Sequence, residues 1–401
     1  MRIICLQDGR PTARDPADRA APAGGGPRAE VRSLDPAEVL AGFAAAVAGG
    51  RNLVLADPPG GPSAPPSGDP AAAAGGGDFR DGFARARQAL REGTASGSLT
   101  LYTSGTTGKP AAVVHGIEGL LRGIRIGGRH EGKTWGLAYN PTHIAGLQVL
   151  LQALANDCDL VDLFGAGPGE RFDLLRATGV THLSATPTFY RLLLAEGEGK
   201  APVESVERVT FGGERLAPGL AEAVRKRFPN AAIRNIYAST EAGTLLVSDS
   251  DVFEVPPARA ESFRVADGRL WLAPSLLGRF DGSADWFDTG DRLEVLSEAP
   301  LRFRFAGREA DDINVGGYNV NPAPVEDHLR AHPGVREARV SARPNPVLGR
   351  ILVGEVVRAD DGLSERALRV YLEKRFPPHE VPRKFDFVDG IGMSRTGKLA
   401  R

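Results

Sequence analysis

Residues 99–110 read LTLYTSGTTGKP: a β-type run, LTLYT, opens into a loop of glycines and hydroxyls and closes on Lys109-Pro110. Gly105 and Gly108 let backbone N–H groups converge on one point, Ser104, Thr106 and Thr107 add neutral donors, and Lys109 adds positive charge. An ordinary turn needs one or two glycines, so an unbroken run of small and hydroxyl residues ending in lysine reads as a phosphate-holding loop. It is not a Walker loop. That motif needs four residues between Gly and Gly-Lys and then Ser or Thr, whereas here Thr106 and Thr107 alone separate the glycines and Pro110 follows the lysine.

Working outward, strand-like and helix-like segments interleave. AAVVH (111–115) reads as a strand, 117–126 as helical, and 144–155 as an apolar helix; THLSAT (181–186), ERVTFG (207–212) and AAIRNIYA (231–238) read as strands, with a helix at 218–228 between the last two. This alternation predicts an α/β layer structure with much parallel sheet, whose ligands sit at the C-terminal ends of strands. Upstream, Asp35–Ala48 has helical composition, NLVLA (52–56) reads as a short buried strand, and the Pro/Gly/Ala-rich segment 57–78 reads as a mobile surface loop without chemistry. Beyond residue 250 short β-type segments bounded by Gly, Asp or Pro indicate a β-rich subdomain. From Gly307 two helices and three strands suffice for a small, mobile α+β domain. The expected division is a large domain over 1–306, shortened at its N-terminus, and a small one over 307–401, hinged near Arg308–Asp312.

Composition narrows the function class. A formal net charge of -1 with both signs spread along the chain gives no electrostatic footprint for nucleic acid. Two cysteines, Cys5 and Cys158, support neither a disulfide framework nor a zinc site and suit a reducing cytoplasm. The apolar run Ile3–Leu6 is too short for a secretory signal, and no stretch reaches membrane-spanning length. A cytoplasmic protein acting on a small molecule is expected; its oligomeric state is not readable.

TSGTTGKP resembles the phosphate loop of the adenylate-forming superfamily, which includes acyl-CoA synthetases, peptide-synthetase adenylation domains and luciferases. Other landmarks follow in that family's order: NPTHIAGL (140–147), FGGERL (211–216), YASTEAG (237–243), WFDTGD (286–291), GREADDINVGGYNV (307–320) and SRTGK (394–398). The resemblance implies ATP-dependent activation of a carboxylic acid to an acyl-adenylate, with release of pyrophosphate and acyl transfer to coenzyme A. It implies that Thr103, Ser104, Gly105, Thr106, Thr107, Gly108 and Lys109 surround the phosphates, with Gly212, Gly213, Glu214, Tyr237, Ala238 and Ser239 along the nucleotide. Tyr237 suits adenine stacking. Thr240 is expected to touch the phosphates and Glu241 to help hold Mg²⁺, which needs only one or two carboxylates. Asp291 is expected on the ribose diol with Arg308 beside it, while Asp288 reads as a turn residue; a structural salt bridge is the competing reading for Asp291 and Arg308. His143 is placed beside the substrate carboxylate, near an acyl pocket formed by Leu147, Phe211, Gly212, Gly213 and Ala238. Lys398 is the lysine that neutralises charge during adenylation, and Gly316 and Gly317 face the incoming thiol.

Three departures stand out. The region before the loop is short, expected to be reduced to the helix-strand unit at 35–56; Ala111 stands where relatives often carry a second lysine; and Ala310 stands where they usually have Asp or Lys. Transfer to a carrier protein's phosphopantetheine thiol or to an amine is the alternative within the enzyme class. A catalytically silent acyl-adenylate-binding protein is the alternative outside it.

Overall fold

The computed structural model describes residues 1–7, 10–15, 28–48, 51–57, 79–103, 111–280, 282–315, 317–345 and 349–392. Ser104–Lys109, all of the 57–78 segment except Asp57, Gly316 and Lys398 therefore lie outside the described residues, and of Thr103 only the backbone is described. The chain divides into two compact units: Met1–Val255 with Leu272–Phe287, and Pro256–Trp271 with the described residues from Asp288 onward. The second unit thus includes β-rich residues that the expected division at 306/307 assigns to the large domain.

The first unit is built on two sheets. The larger has eight strands in the spatial order Gly243–Ser248, Ala232–Ser239, Arg208–Gly212, His182–Ala185, Thr134–Leu137, Asp159–Asp162, Ile3–Gln7 and Arg10–Arg14. Its interior pairings are parallel and its two outermost antiparallel. The smaller has four: Arg28–Arg32, Asn52–Ala56, Ser98–Thr103 and Ala111–Gly116. Helix Ile144–Ala155 is apolar on nearly every side and buried, as a helix between layers must be. One apolar cluster takes Leu53, Leu55, Leu99 and Leu101 from the small sheet, Leu137 and Leu160 from the large one, and Leu147, Leu150 and Leu154 from that helix, so both sheets share a core. Helix Pro187–Glu196 starts where a Thr186 cap and Pro at the first turn favour it: Thr186 Oγ1 accepts from Phe189 N at 3.1 Å.

The region before the phosphate loop is larger than the expected helix-strand unit. Strands Ile3–Gln7 and Arg10–Arg14 pair at the edge of the large sheet, with Ile3 opposite Leu160; Arg28–Arg32 pairs with Asn52–Ala56, and helix Phe79–Glu92 adds Phe83, Ala86 and Leu90 to the shared core. The three strands are five residues each, too short to stand out locally, and pairing with distant strands makes them regular.

In the second unit, Phe263–Ala266, Arg269–Leu272, Phe287–Glu298 and Leu301–Arg308 form a meander. Helices Pro322–Arg330 and Glu365–Glu373 pack on the three-stranded sheet Val335–Asn345, Gly349–Arg358 and Lys384–Phe387 around Val325, Leu329, Val340, Leu352, Val356 and Leu368. No helix among the described residues is long and apolar enough to cross a membrane.

Candidate active site

In the first unit the expected site residues cluster at the C-terminal ends of parallel strands. Strand Ala232–Ser239 ends in a tight turn, Thr240–Ala242, before Gly243–Ser248 returns antiparallel. Three bonds hold that turn. Ser239 Oγ accepts from Ala242 N at 3.2 Å, Gly278 N donates to Glu241 O at 2.7 Å, and His115 Nε2 lies 2.6 Å from Thr240 O. A carbonyl only accepts, so His115 carries its proton on Nε2. His115 is 3% exposed, and burial pushes its pKa below the ordinary histidine value, against the bond to Thr240, which raises it. It stands in strand Ala111–Gly116 opposite Leu99, and so ties the small sheet to the Thr240–Glu241 turn. Sequence reasoning passed it over, because a lone histidine in a strand looks like any core residue.

The Glu241 carboxylate makes no hydrogen bond or ion pair with the described residues and is half-buried, so it is available to a cation. No group of three or more His, Cys, Asp or Glu side chains that could hold a metal occurs among the described residues.

Gly212 ends strand Arg208–Gly212, and its carbonyl accepts from Tyr139 Oη at 3.3 Å; a Cβ on Gly212 would lie 3.1 Å from that hydroxyl. Gly213 has φ +81, a conformation glycine adopts freely. Glu214 uses both carboxylate oxygens on the start of helix Pro187–Glu196, accepting from Thr188 N at 2.9 Å and Thr188 Oγ1 at 3.0 Å. Phe211 and Leu147 are buried, Ala238 and Ser239 half-buried. Tyr237, 9% exposed, meets Phe253 edge-on with ring centroids 6.4 Å apart.

His143 precedes helix Ile144–Ala155 in an extended conformation, and its side chain is 20% exposed. Its Nε2 lies 3.7 Å from Oδ1 of Asp57, which is fully buried and also accepts from Asn140 Nδ2 and Thr142 Oγ1, each at 2.9 Å. Asp57 is the second residue that sequence reasoning missed; it is the first residue of the segment read as carrying no chemistry.

In the second unit Asp291 and Arg308 face each other across strands Phe287–Glu298 and Leu301–Arg308. Arg308 Nε donates to Asp291 Oδ1 at 2.8 Å and Nη2 to Oδ2 at 3.4 Å, while Asp291 is 7% exposed. The register that makes them neighbours is the geometry in which a carboxylate and a guanidinium could share a diol. Asp288 Oδ1 accepts from Gly290 N at 2.9 Å, the bond of a turn residue. Gly317, at φ +93, donates its N–H to Asn314 Oδ1 at 3.3 Å. Two cavities of about 410 and 370 Å³ are lined by none of the described site residues.

The family model described as AMP-binding enzyme matches residues 74–265, and that of the AMP-binding enzyme C-terminal domain matches 324–398. The chain is 26% identical over 350 residues to acetyl-coenzyme A synthetase of Bacillus subtilis, covering 76% of this chain and 60% of that protein. It is 28% identical over 343 residues to the fatty acid–[acyl-carrier-protein] ligase ScoC of Streptomyces coeruleorubidus, covering 75% and 65%. It therefore spans about two thirds or less of the length of these relatives. The fold matches that of ATP-bound MatB from Rhodopseudomonas palustris with a TM-score of 0.65 at 19% identity, covering 96% of this chain and 88% of that one.

Proposed function

This chain belongs to the AMP-binding enzyme family, and from that premise we propose that it activates a carboxylic acid with ATP, releases pyrophosphate, and passes the acyl group from the adenylate to coenzyme A. The observation that carries this reading is that the adjacent parallel strands Arg208–Gly212 and Ala232–Ser239 end together, at Gly212-Gly213 and at the Thr240–Glu241 turn. A glycine pair, a hydroxyl and a carboxylate thus share one edge of the large sheet, where ligands of such sheets sit.

A free carboxylate is a poor acyl donor, and in-line alignment with the α-phosphate makes the reaction effectively intramolecular. In this reading Thr103–Lys109 hold the phosphates, Thr240 contacts them, and His143 orients the acid's carboxylate. Glu241 would hold Mg²⁺, which supplies charge neutralisation on phosphate oxygens. Gly212, Gly213, Glu214, Tyr237, Ala238 and Ser239 line the nucleotide, and Asp291 with Arg308 takes the ribose. Lys398, in a lid domain over 307–401, stabilises the charge that develops between carboxylate and phosphate. Movement about Arg308–Asp312 then withdraws it and brings Gly316-Gly317 to the thiol.

Pyrophosphate exchange over a panel of carboxylic acids, followed by product mass with coenzyme A, tests the proposal. Exchange with at least one acid and a mass matching its thioester are expected; no exchange with any acid would favour the catalytically silent alternative. Carrier-protein transfer is a second reading because ScoC, at 28% identity, is named for it. A phosphopantetheinylated carrier protein belongs in the same assay.

A further inference from the structure

Asp57 ends the buried strand Asn52–Ala56 of the small sheet, yet all its described polar contacts are with Asn140, Thr142 and His143, which follow strand Thr134–Leu137 of the large sheet. It is 0% exposed, and its Oδ2 is buried without a hydrogen-bond partner among the described residues. An unpaired buried carboxylate is costly. Burial works to raise the pKa of Asp57, but the His143 imidazole, Asn140 and Thr142 outweigh it and hold the carboxyl well below the usual range. The side chain is thus an anion with the His143 imidazole beside it.

The turn that carries His143 is equally constrained. Asn140 Oδ1 accepts from Thr142 N at 2.9 Å, and Asn140 O accepts from His143 N at 3.1 Å. A Cβ on Gly146 would lie 2.1 Å from Asn140 O, so the helix can approach this turn only with glycine there. One side of the imidazole faces the buried anion, and a fifth of the side chain is open.

We propose that Asp57 is the positioning residue for His143, a buried carboxylate that orients the imidazole so that it receives the acid substrate's carboxylate. Which ring nitrogen is presented to the substrate is set by the group that the other side of the ring faces. The 3.7 Å separation is longer than a hydrogen bond, and it is of the kind that closes when substrate arrives. This inference rests on the proposed function for its substrate, but the Asp57–His143 couple does not.

The test is a double-mutant cycle with Asp57→Asn and His143→Ala. Read on urea unfolding of the ligand-free protein, the two midpoint shifts are expected to be non-additive; additive shifts overturn the couple whether or not any acid is turned over. Read on pyrophosphate exchange, Asp57→Asn is expected to raise KM for the acid about tenfold and leave KM for ATP within about twofold. It should have no further effect in the His143→Ala background. Equal changes in both KM values, as a purely structural tie between the sheets would produce, overturn the role. Non-additive unfolding without exchange in the wild type counts against the functional reading alone. Should Asp57→Asn not fold, Thr142→Val releases one of the carboxylate's anchors. It is expected to raise KM for the acid about threefold, and an unchanged KM would overturn the proposal.

Discussion

Gly278 shows how closely the turn bearing Glu241 is held. Its N–H bonds Glu241 O, and a Cβ there would lie 2.8 Å from Cε1 of His115 and 2.9 Å from Cγ1 of Val113. Gly278→Ala must therefore displace the imidazole that fixes Thr240. It is expected to cost about 1–3 kcal/mol in urea unfolding and to lower pyrophosphate exchange by about tenfold or more. Lys398→Ala tests a different group. If the lysine serves only the adenylation step, exchange is lost while thioester formation from supplied acyl-adenylate survives, and parallel loss in both assays would refute that division of labour. At this scale the legible residues were those embedded in runs of small and hydroxyl residues, such as Thr240 and Glu241. His115 and Asp57 were not legible, because each is an ordinary residue next to a strand until its partner, far off in sequence, is known.

Elements were legible in proportion to their own periodicity. Helix Ile144–Ala155 lies where an unbroken apolar run predicts it, whereas helix Phe79–Glu92 was not anticipated although Phe83, Ala86 and Leu90 fall on one buried face at helical spacing. Two elements make measurable predictions. Asp162 ends strand Asp159–Asp162, and burial, with nearby Asp35 adding to it, pushes its carboxyl up to about 6 from 3.8. The folded state then binds the proton more tightly than the unfolded one between those values. Stability should fall as pH rises from about 4 to about 6 and stay level above, and Asp162→Asn should flatten that slope in urea titrations. On helix Pro322–Arg330, Arg330 donates to Glu337 at 2.5 Å and pairs with Glu326 and Asp327, while Glu326 accepts from Val340 N at 2.9 Å. Removing Arg330 takes a charge partner from two buried carboxylates, Glu326 and Glu337, so Arg330→Ala is expected to cost about 3–5 kcal/mol in the same assay.

The molecule as a whole consists of two compact units, and the candidate residues are divided between them: the strand-end cluster in the first, Asp291 and Arg308 in the second. A ligand that binds the native state and not the unfolded one registers on unfolding. ATP with magnesium at about a hundred times its Kd is expected to stabilise the native state by about 2.7 kcal/mol, seen by calorimetry as an upward shift of the transition; no shift would argue against nucleotide binding. The amino-acid order by itself determined the α/β alternation and the family, since these reside in local composition and in motifs that keep their order along the chain. Only the tertiary structure decided that Ile3–Gln7 and Arg10–Arg14 extend the large sheet, that His115 grips the Thr240 carbonyl, and that Asp57 is an interior anion. Asp57 and its partner Asn140 are separated by 83 positions, and whether a carboxylate is solvated or buried depends on what the fold brings against it.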